Sequence, residues 1–138
     1  MKMLILGASY GSLLSTKLLM AGHDVTLICR STSAALINKE GTEVRIKLRD
    51  ETEHRALRSA DLAGTVNAVT PEQARPEDYD IIALAMQEPQ YSAPAVRGLM
   101  TRIAASQKPC LSIMNMPPLP FLRRIDSLKD LDLDSAYD

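Results

Sequence analysis

Two short stretches of this sequence carry residue types suited to holding a phosphorylated ligand. The first is Gly7-Ala8-Ser9-Tyr10-Gly11-Ser12, set between the apolar run Met3-Leu4-Ile5-Leu6 and a helical pattern. A turn of small residues placed there lets backbone N–H groups and the positive helix terminus approach a pyrophosphate. Its spelling departs from Gly-x-Gly-x-x-Gly. Without a gap, Ser9 and Ser12 stand in the second and third glycine places; with one residue deleted, Gly11 becomes the final glycine. The second stretch is Cys29-Arg30-Ser31-Thr32, about 20 residues further on, where the NAD form of the motif has an acid for the ribose 2′-hydroxyl. A guanidinium beside two hydroxyls suits the 2′-phosphate of NADP instead, because arginine makes forked, charge-assisted bonds to phosphate oxygens. The expected cofactor is therefore NADP.

Two later strand ends supply Ala85-Met86-Gln87-Glu88-Pro89-Gln90 and Asn115-Met116. Ala85, Met86, Gln87, Gln90 and Asn115 are expected to converge where the nicotinamide would lie. No catalytic residue and no metal ligand is assigned. His23 and His54 lack ligand spacing and are expected in a turn and on a hairpin face. Glu77, Asp78 and Asp80 precede a strand at its wrong end for catalysis and read as solvated or helix-terminal charges.

The elements that must position these groups follow from periodicity. Met3–Leu6, closed by Gly7, reads as a strand buried on both faces, as in parallel sheets. From Ser12 to Ala21, Leu13, Leu14, Leu18 and Ala21 predict the buried face of a helix stopped by Gly22. Asp24–Cys29 is the second strand, which completes a βαβ unit. Ser31 is expected to cap a helix through Asn38 that Gly41 ends. The alternation within Thr42–Arg49 and Glu53–Leu57 predicts an inserted, half-exposed hairpin. Further strands are expected at Thr65–Val69, Asp80–Met86 and Cys110–Met114, with a helix marked by Val96, Leu99, Met100 and Ile103 and Pro94 in its first turn. The fold expected is α/β: a Rossmann-type, doubly wound, mainly parallel sheet with a hairpin insertion. Residues 1–120 are read as the NADP-binding domain and 121–138 as an amphipathic, acidic tail or the start of a linker to an absent C-terminal domain.

Composition narrows the partners. A chain of 138 residues suits one domain, and 46% apolar with 24% charged residues is ordinary for a globular protein. A net charge of −1 without a Lys/Arg block favours neither nucleic acid nor an anionic membrane. No apolar run approaches the ~20 residues that span a bilayer, and Met3–Leu6 is too short for a secretory signal core. Cys29 and Cys110 lie in apolar stretches and read as small buried hydrophobes, so a reducing cytoplasm is expected.

Taken together, the sequence resembles the ketopantoate reductase family. The resemblance runs through Met3–Ala8, Gly11–Leu14, Ala21–Leu27 and Arg30, then Asp80–Ala85, Gln90 and Asn115, and covers residues 1–116. It implies that Gly7–Ser12 and Arg30 bind NADPH and that Asn115 helps place cofactor and substrate. It also implies reduction of a 2-keto acid, with the catalytic lysine in a helical second domain, so that this chain alone binds cofactor without turnover. Two positions depart from the family: Gln87 stands where a lysine is common, and Met116 where a glycine usually follows the asparagine. These departures motivate a second reading, a non-catalytic NADP-binding or regulatory module; an α/β interaction domain without nucleotide is a third. The short-chain dehydrogenases share Gly7-x-x-x-Gly11, but none of Tyr10, Tyr79, Tyr91 and Tyr137 is followed by lysine at the spacing their chemistry needs. Oligomeric state is not written in the sequence.

Overall fold

Met3-Leu4-Ile5-Leu6 has no polar side chain to turn toward water, so it forms a strand only where both faces are covered. In the computed structural model, which describes residues 1–47, 52–113, 122–128, 130 and 132, this run is the centre of β1 (Lys2–Leu6). The chain then alternates α1 (Ala8–Met20), β2 (Asp24–Ile28) and α2 (Ser31–Glu40) before a hairpin of β3 (Glu43–Ile46) and β4 (Arg55–Arg58). It continues through β5 (Val66–Val69), β6 (Ile81–Leu84), the single turn α3 (Glu88–Tyr91), α4 (Pro94–Ser106) and β7 (Cys110–Ser112).

The five strands of the main sheet are parallel, in the order β5-β2-β1-β6-β7. The antiparallel hairpin forms a separate two-stranded sheet, with Val44 opposite Leu57. The expected Rossmann-type sheet and its hairpin insertion are both present; Leu48 and Arg49, also read as part of the hairpin, lie outside the described residues.

Alternation along β1 divides the core. Ile5 packs with Leu19 of α1, Ala34 of α2, Leu27, Ala68 and Ala83 on one face. Leu4 and Leu6 pack with Ile82, Leu84 and the α4 residues Val96, Leu99, Met100 and Ile103 on the other. The second face has a further cover: Leu122, Ile125 and Leu128, within the stretch read as a tail, are all buried in this cluster.

The structure corrects the expected packing of α1. Its buried residues are Gly11, Ser15, Thr16 and Leu19. Leu14 and Leu18 lie at the margin of that core, while Leu13 is 45% exposed and Ala21 is exposed. Small residues carry the contact because Gly11 brings the helix close to β1, which turns Leu13 outward. The end of the helix is as expected: Gly22 at φ 78° lets its N–H reach Leu19 O and that of His23 reach Leu18 O, satisfying two terminal carbonyls. Ser31 does not cap α2. Arg30 is the N-cap, in extended conformation, and Ser31 is already helical. The cysteines are free and half-buried, so their expected complete burial is not met.

Edge strand β5 is blunted from within the domain. Asn38 Nδ2 donates to Ala68 O at 2.8 Å, and Ala68 N–H donates to Asn38 Oδ1 at 2.7 Å, so one amide side chain stands in for a neighbouring strand.

The burial of Leu128 yields a first test. Leu128→Ala should lower the unfolding free energy by about 2–5 kcal/mol, read as a lower urea midpoint at unchanged slope. A loss below about 0.5 kcal/mol, the range of surface substitutions, would show that this segment does not belong to the core.

Candidate functional site

The carboxyl ends of β1, β2, β5 and β6 open onto one cleft of about 740 Å³, within the size range of small-ligand sites. From β1 the chain runs through α1 to β2 and then β5; from β6 it runs through α4 to β7 on the opposite side. The two halves of the sheet therefore diverge between β1 and β6, where doubly wound sheets form their ligand crevice.

Two missing Cβ atoms shape the floor. Gly7 has φ 104° and ψ 103°, and a Cβ there would lie 2.7 Å from Ala85 O and 2.8 Å from Met86 Cγ. At Gly11 a Cβ would come within 2.6 Å of Ile5 Cγ2. These are the tight-turn and close-packing roles of the first and last motif glycines, so the gapped reading describes this loop, with Ser9 in the middle place. The helix also starts earlier than its periodicity suggests: α1 begins at Ala8, directly after the Gly7 turn. Ala8, Ser9 and Tyr10 line the cleft, whereas Gly11 is packed beneath it and Ser12 is not in its wall. The Ser12 hydroxyl donates to Ser9 O at 2.8 Å.

The first i→i−4 bond of α1 is Gly11 N–H to Gly7 O at 3.0 Å, so the amides of Ala8, Ser9 and Tyr10 precede the helical ladder. No side chain caps α1 and no acid lies in its first turn. The same holds for α2, whose Arg30, Ser31 and Ser33 line the cleft, and for α4, which contributes Ala95 and Val96 with its N-cap Ala93. Three positive helix ends thus face one space without a carboxylate in any first turn. The Arg30 guanidinium forms no hydrogen bond or ion pair among the described residues.

At the β6 end, Ala85, Met86 and Gln90 line the cleft, while Gln87 lies outside the wall. Gln87 Nε2 donates to the Tyr10 hydroxyl at 2.7 Å, tying this loop to the start of α1. Its N–H donates to Gln90 Oε1 at 2.9 Å, so Gln90 also serves the N-terminus of α3. Asn115 lies outside the described residues. Below the rim, the buried Tyr91 hydroxyl accepts the Met86 N–H at 3.3 Å, and burial pushes its pKa up to about 12.

Sequence reasoning missed the wall supplied after β5, namely Thr70, Pro71 and Glu72. Thr70 N–H donates to Gln73 Oε1 at 3.0 Å and Gln73 N–H to Thr70 O at 3.1 Å, closing a tight turn. The rule that useful residues sit just past each strand would have found it, had the short β5 been traced to its end. Cys29 and Ser33 were also missed as wall residues; burial pushes the Cys29 thiol pKa up, away from ready ionisation. Among the described residues no cluster of His, Cys, Asp and Glu could hold a metal, and no helix is long and apolar enough to cross a membrane.

Sheet order and crevice place the chain in the class of Rossmann-type, doubly wound α/β domains. Residues 3–115 match the family model described as ketopantoate reductase PanE/ApbA, and the chain belongs to that family. Its fold is similar to the crystal structure of a provisionally assigned 2-dehydropantoate 2-reductase from Enterococcus faecalis, with TM-score 0.61 and 21% identity. The match covers 91% of this chain and 37% of that one, so this chain corresponds to a little over a third of its neighbour's length. No curated protein matches.

Two tests probe the packing beneath the site. Gly11→Ala should cost about 1–3 kcal/mol of stability through overpacking. Combined with Ile5→Ala, which removes the Cγ2 it would strike, the total should fall at least ~0.5 kcal/mol short of the sum. Strict additivity would mean that Ile5 is not the obstacle. For Tyr91, the folded pKa of about 12 lies above the unfolded value near 10. Its contribution is therefore complete below about pH 10 and is lost as pH rises from there through about 12, because the unfolded phenol ionises first. Over that window wild type should lose up to ~1.4 kcal/mol per pH unit more than Tyr91→Phe; equal slopes in urea titrations would contradict it.

Proposed function

We propose that this chain is the NADP(H)-binding domain of an NADPH-dependent 2-keto acid reductase resembling ketopantoate reductase, and that it is incomplete for catalysis on its own. The observation that carries this reading is the cleft's charge arrangement: three uncapped helix N-termini, with Arg30 free of partners among the described residues. A dinucleotide carries its negative charge at the pyrophosphate and, in NADP, at the 2′-phosphate. The amides of Ala8, Ser9 and Tyr10 suit the pyrophosphate because Gly7 keeps the approach open. Arg30 with Ser31 suits the 2′-phosphate at the end of β2.

When bound, NADPH would supply hydride to a 2-keto group. The chain's own part is to hold the dinucleotide with its nicotinamide toward Ala85, Met86 and Gln90, and through the Gln87–Tyr10 bond to fix the two sides of the crevice. The titratable groups in the described wall are Tyr10, Cys29, Arg30 and Glu72, and only Tyr10 faces the β6 side. The family resemblance implies that the proton donor for the developing alkoxide is a lysine of a second domain and none of these groups. This same scarcity favours the second reading, a module that binds NADP without turnover.

NADPH fluorescence tests the cofactor assignment directly, since the chain has no tryptophan to interfere. NADPH should bind at least about tenfold more tightly than NADH, and Arg30→Ala should abolish that preference, because a hydrogen bond to a charged group contributes about 1.5–3 kcal/mol. Equal affinity for the two, or binding of neither, would overturn it. The isolated chain should show no keto-acid-dependent NADPH oxidation.

A further inference from the structure

The cleft contains an anion that phosphate binding does not account for. Glu72 lies in its wall with Thr70 and Pro71, at the carboxyl end of edge strand β5, beside the end of β2 that carries Arg30. With the pyrophosphate held at the start of α1 and the 2′-phosphate at Arg30, the wall after β5, the strand next to β2, would be the part of the cleft left to receive the base. Only one part of an adenine edge is a pure hydrogen-bond donor, the exocyclic 6-amino group. We infer that Glu72 is a specificity-determining residue for the base, its carboxylate accepting a hydrogen bond from the 6-amino group of adenine.

This inference rests on the dinucleotide reading of the cleft and adds a residue that the glycine loop and Arg30 do not require. Three features favour it. The acid is positioned by a closed turn, in which Thr70 and Gln73 exchange hydrogen bonds on either side of Glu72. The carboxylate is engaged by its own backbone amide and by Thr70, and those bonds, with Arg102 beyond them, hold its pKa below the ordinary carboxylate value. Arg102 Nη2 donates to Pro71 O at 2.6 Å, so a cation from α4 anchors the turn and Arg30 is left for phosphate. A carboxylate offers about four lone-pair positions, so bonds to its own amide and Thr70 leave room for a ligand donor.

Hypoxanthine replaces the 6-amino donor by a carbonyl acceptor, moves the donor of that edge to N1, and leaves ribose, phosphates and nicotinamide unchanged. The test compares NADPH with reduced nicotinamide hypoxanthine dinucleotide phosphate on wild type and Glu72→Gln, by cofactor fluorescence, with NADH as a further ligand. Wild type should bind the hypoxanthine analogue about tenfold more weakly than NADPH. In Glu72→Gln, whose amide can donate as well as accept, the two should fall within about twofold. Glu72 is exposed, so the variant should keep wild-type thermal stability. Equal binding of both dinucleotides by wild type would overturn the inference, as would discrimination that survives in Glu72→Gln. A changed NADPH-to-NADH ratio with unaltered base preference would overturn it too, by moving Glu72 to the ribose. Absence of NADPH binding to wild type would fail the dinucleotide reading itself and take this inference with it.

Discussion

Helix α1 rests on the sheet only because positions 7 and 11 lack a Cβ. A methyl group at Gly7 would run into the Ala85 carbonyl, and one at Gly11 into Ile5. At Gly7 the obstacle is backbone, which cannot yield as a flexible side chain can, and at Gly11 it is a buried, branched side chain, so the helix would have to lift or slide. With it would go the exposed amides at its start, the contact of Tyr10 with Gln87, and the depth of the crevice between β1 and β6. This contact sets where a ligand's charge can be met. The small residues Ser15 and Thr16 in the same interface extend the close approach along the helix.

On this frame the cleft's electrostatics derive from chain direction. Parallel strands deliver each succeeding helix with its N-terminus at the same end of the sheet, and each contributes about half a positive charge there. Phosphate attraction is thus a property of the topology, and α1, α2 and α4 express it by carrying no acid in the first turn. Side chains add a second level of charge: Arg30 on one strand end and Glu72 on the next set opposite charges in the same wall, which under the proposed reading would meet different parts of a ligand. The β6 side of the described wall, Ala85, Met86 and Gln90, carries no charged side chain, so the cleft divides into a charged half and an uncharged one.

Much of this was legible in the sequence, for definite reasons. Strands buried on both faces cannot hide their signature, so Met3–Leu6 and Ile81–Leu84 stood out, and Gly7 and Gly22 marked genuine turns at positive φ. The face of α1 was misread because hydrophobic spacing assumes that large side chains make the contact; across a glycine, the small ones do. Ser31 looked like a cap by residue type, but the helix starts one residue too early for that. The turn after β5 was overlooked because a four-residue strand, partly solvated, gives too little pattern to locate its own end. Leu122, Ile125 and Leu128 were hidden by the polar residues around them, although their spacing of three matches successive turns in which Ile125 N–H donates to Leu122 O and Leu128 N–H to Ile125 O.

The central claim is that the helix ends and Arg30 together form the dinucleotide site. Titrating NADPH into ¹⁵N-labelled protein and tracking the amide resonances tests it most directly. The account predicts that the largest shifts fall on Ala8–Tyr10, Arg30–Ser33 and Ala85–Met86, with little change at the β3–β4 hairpin. Saturable binding with its largest shifts at the hairpin or on the exposed face of α1, and the helix starts unmoved, would contradict it.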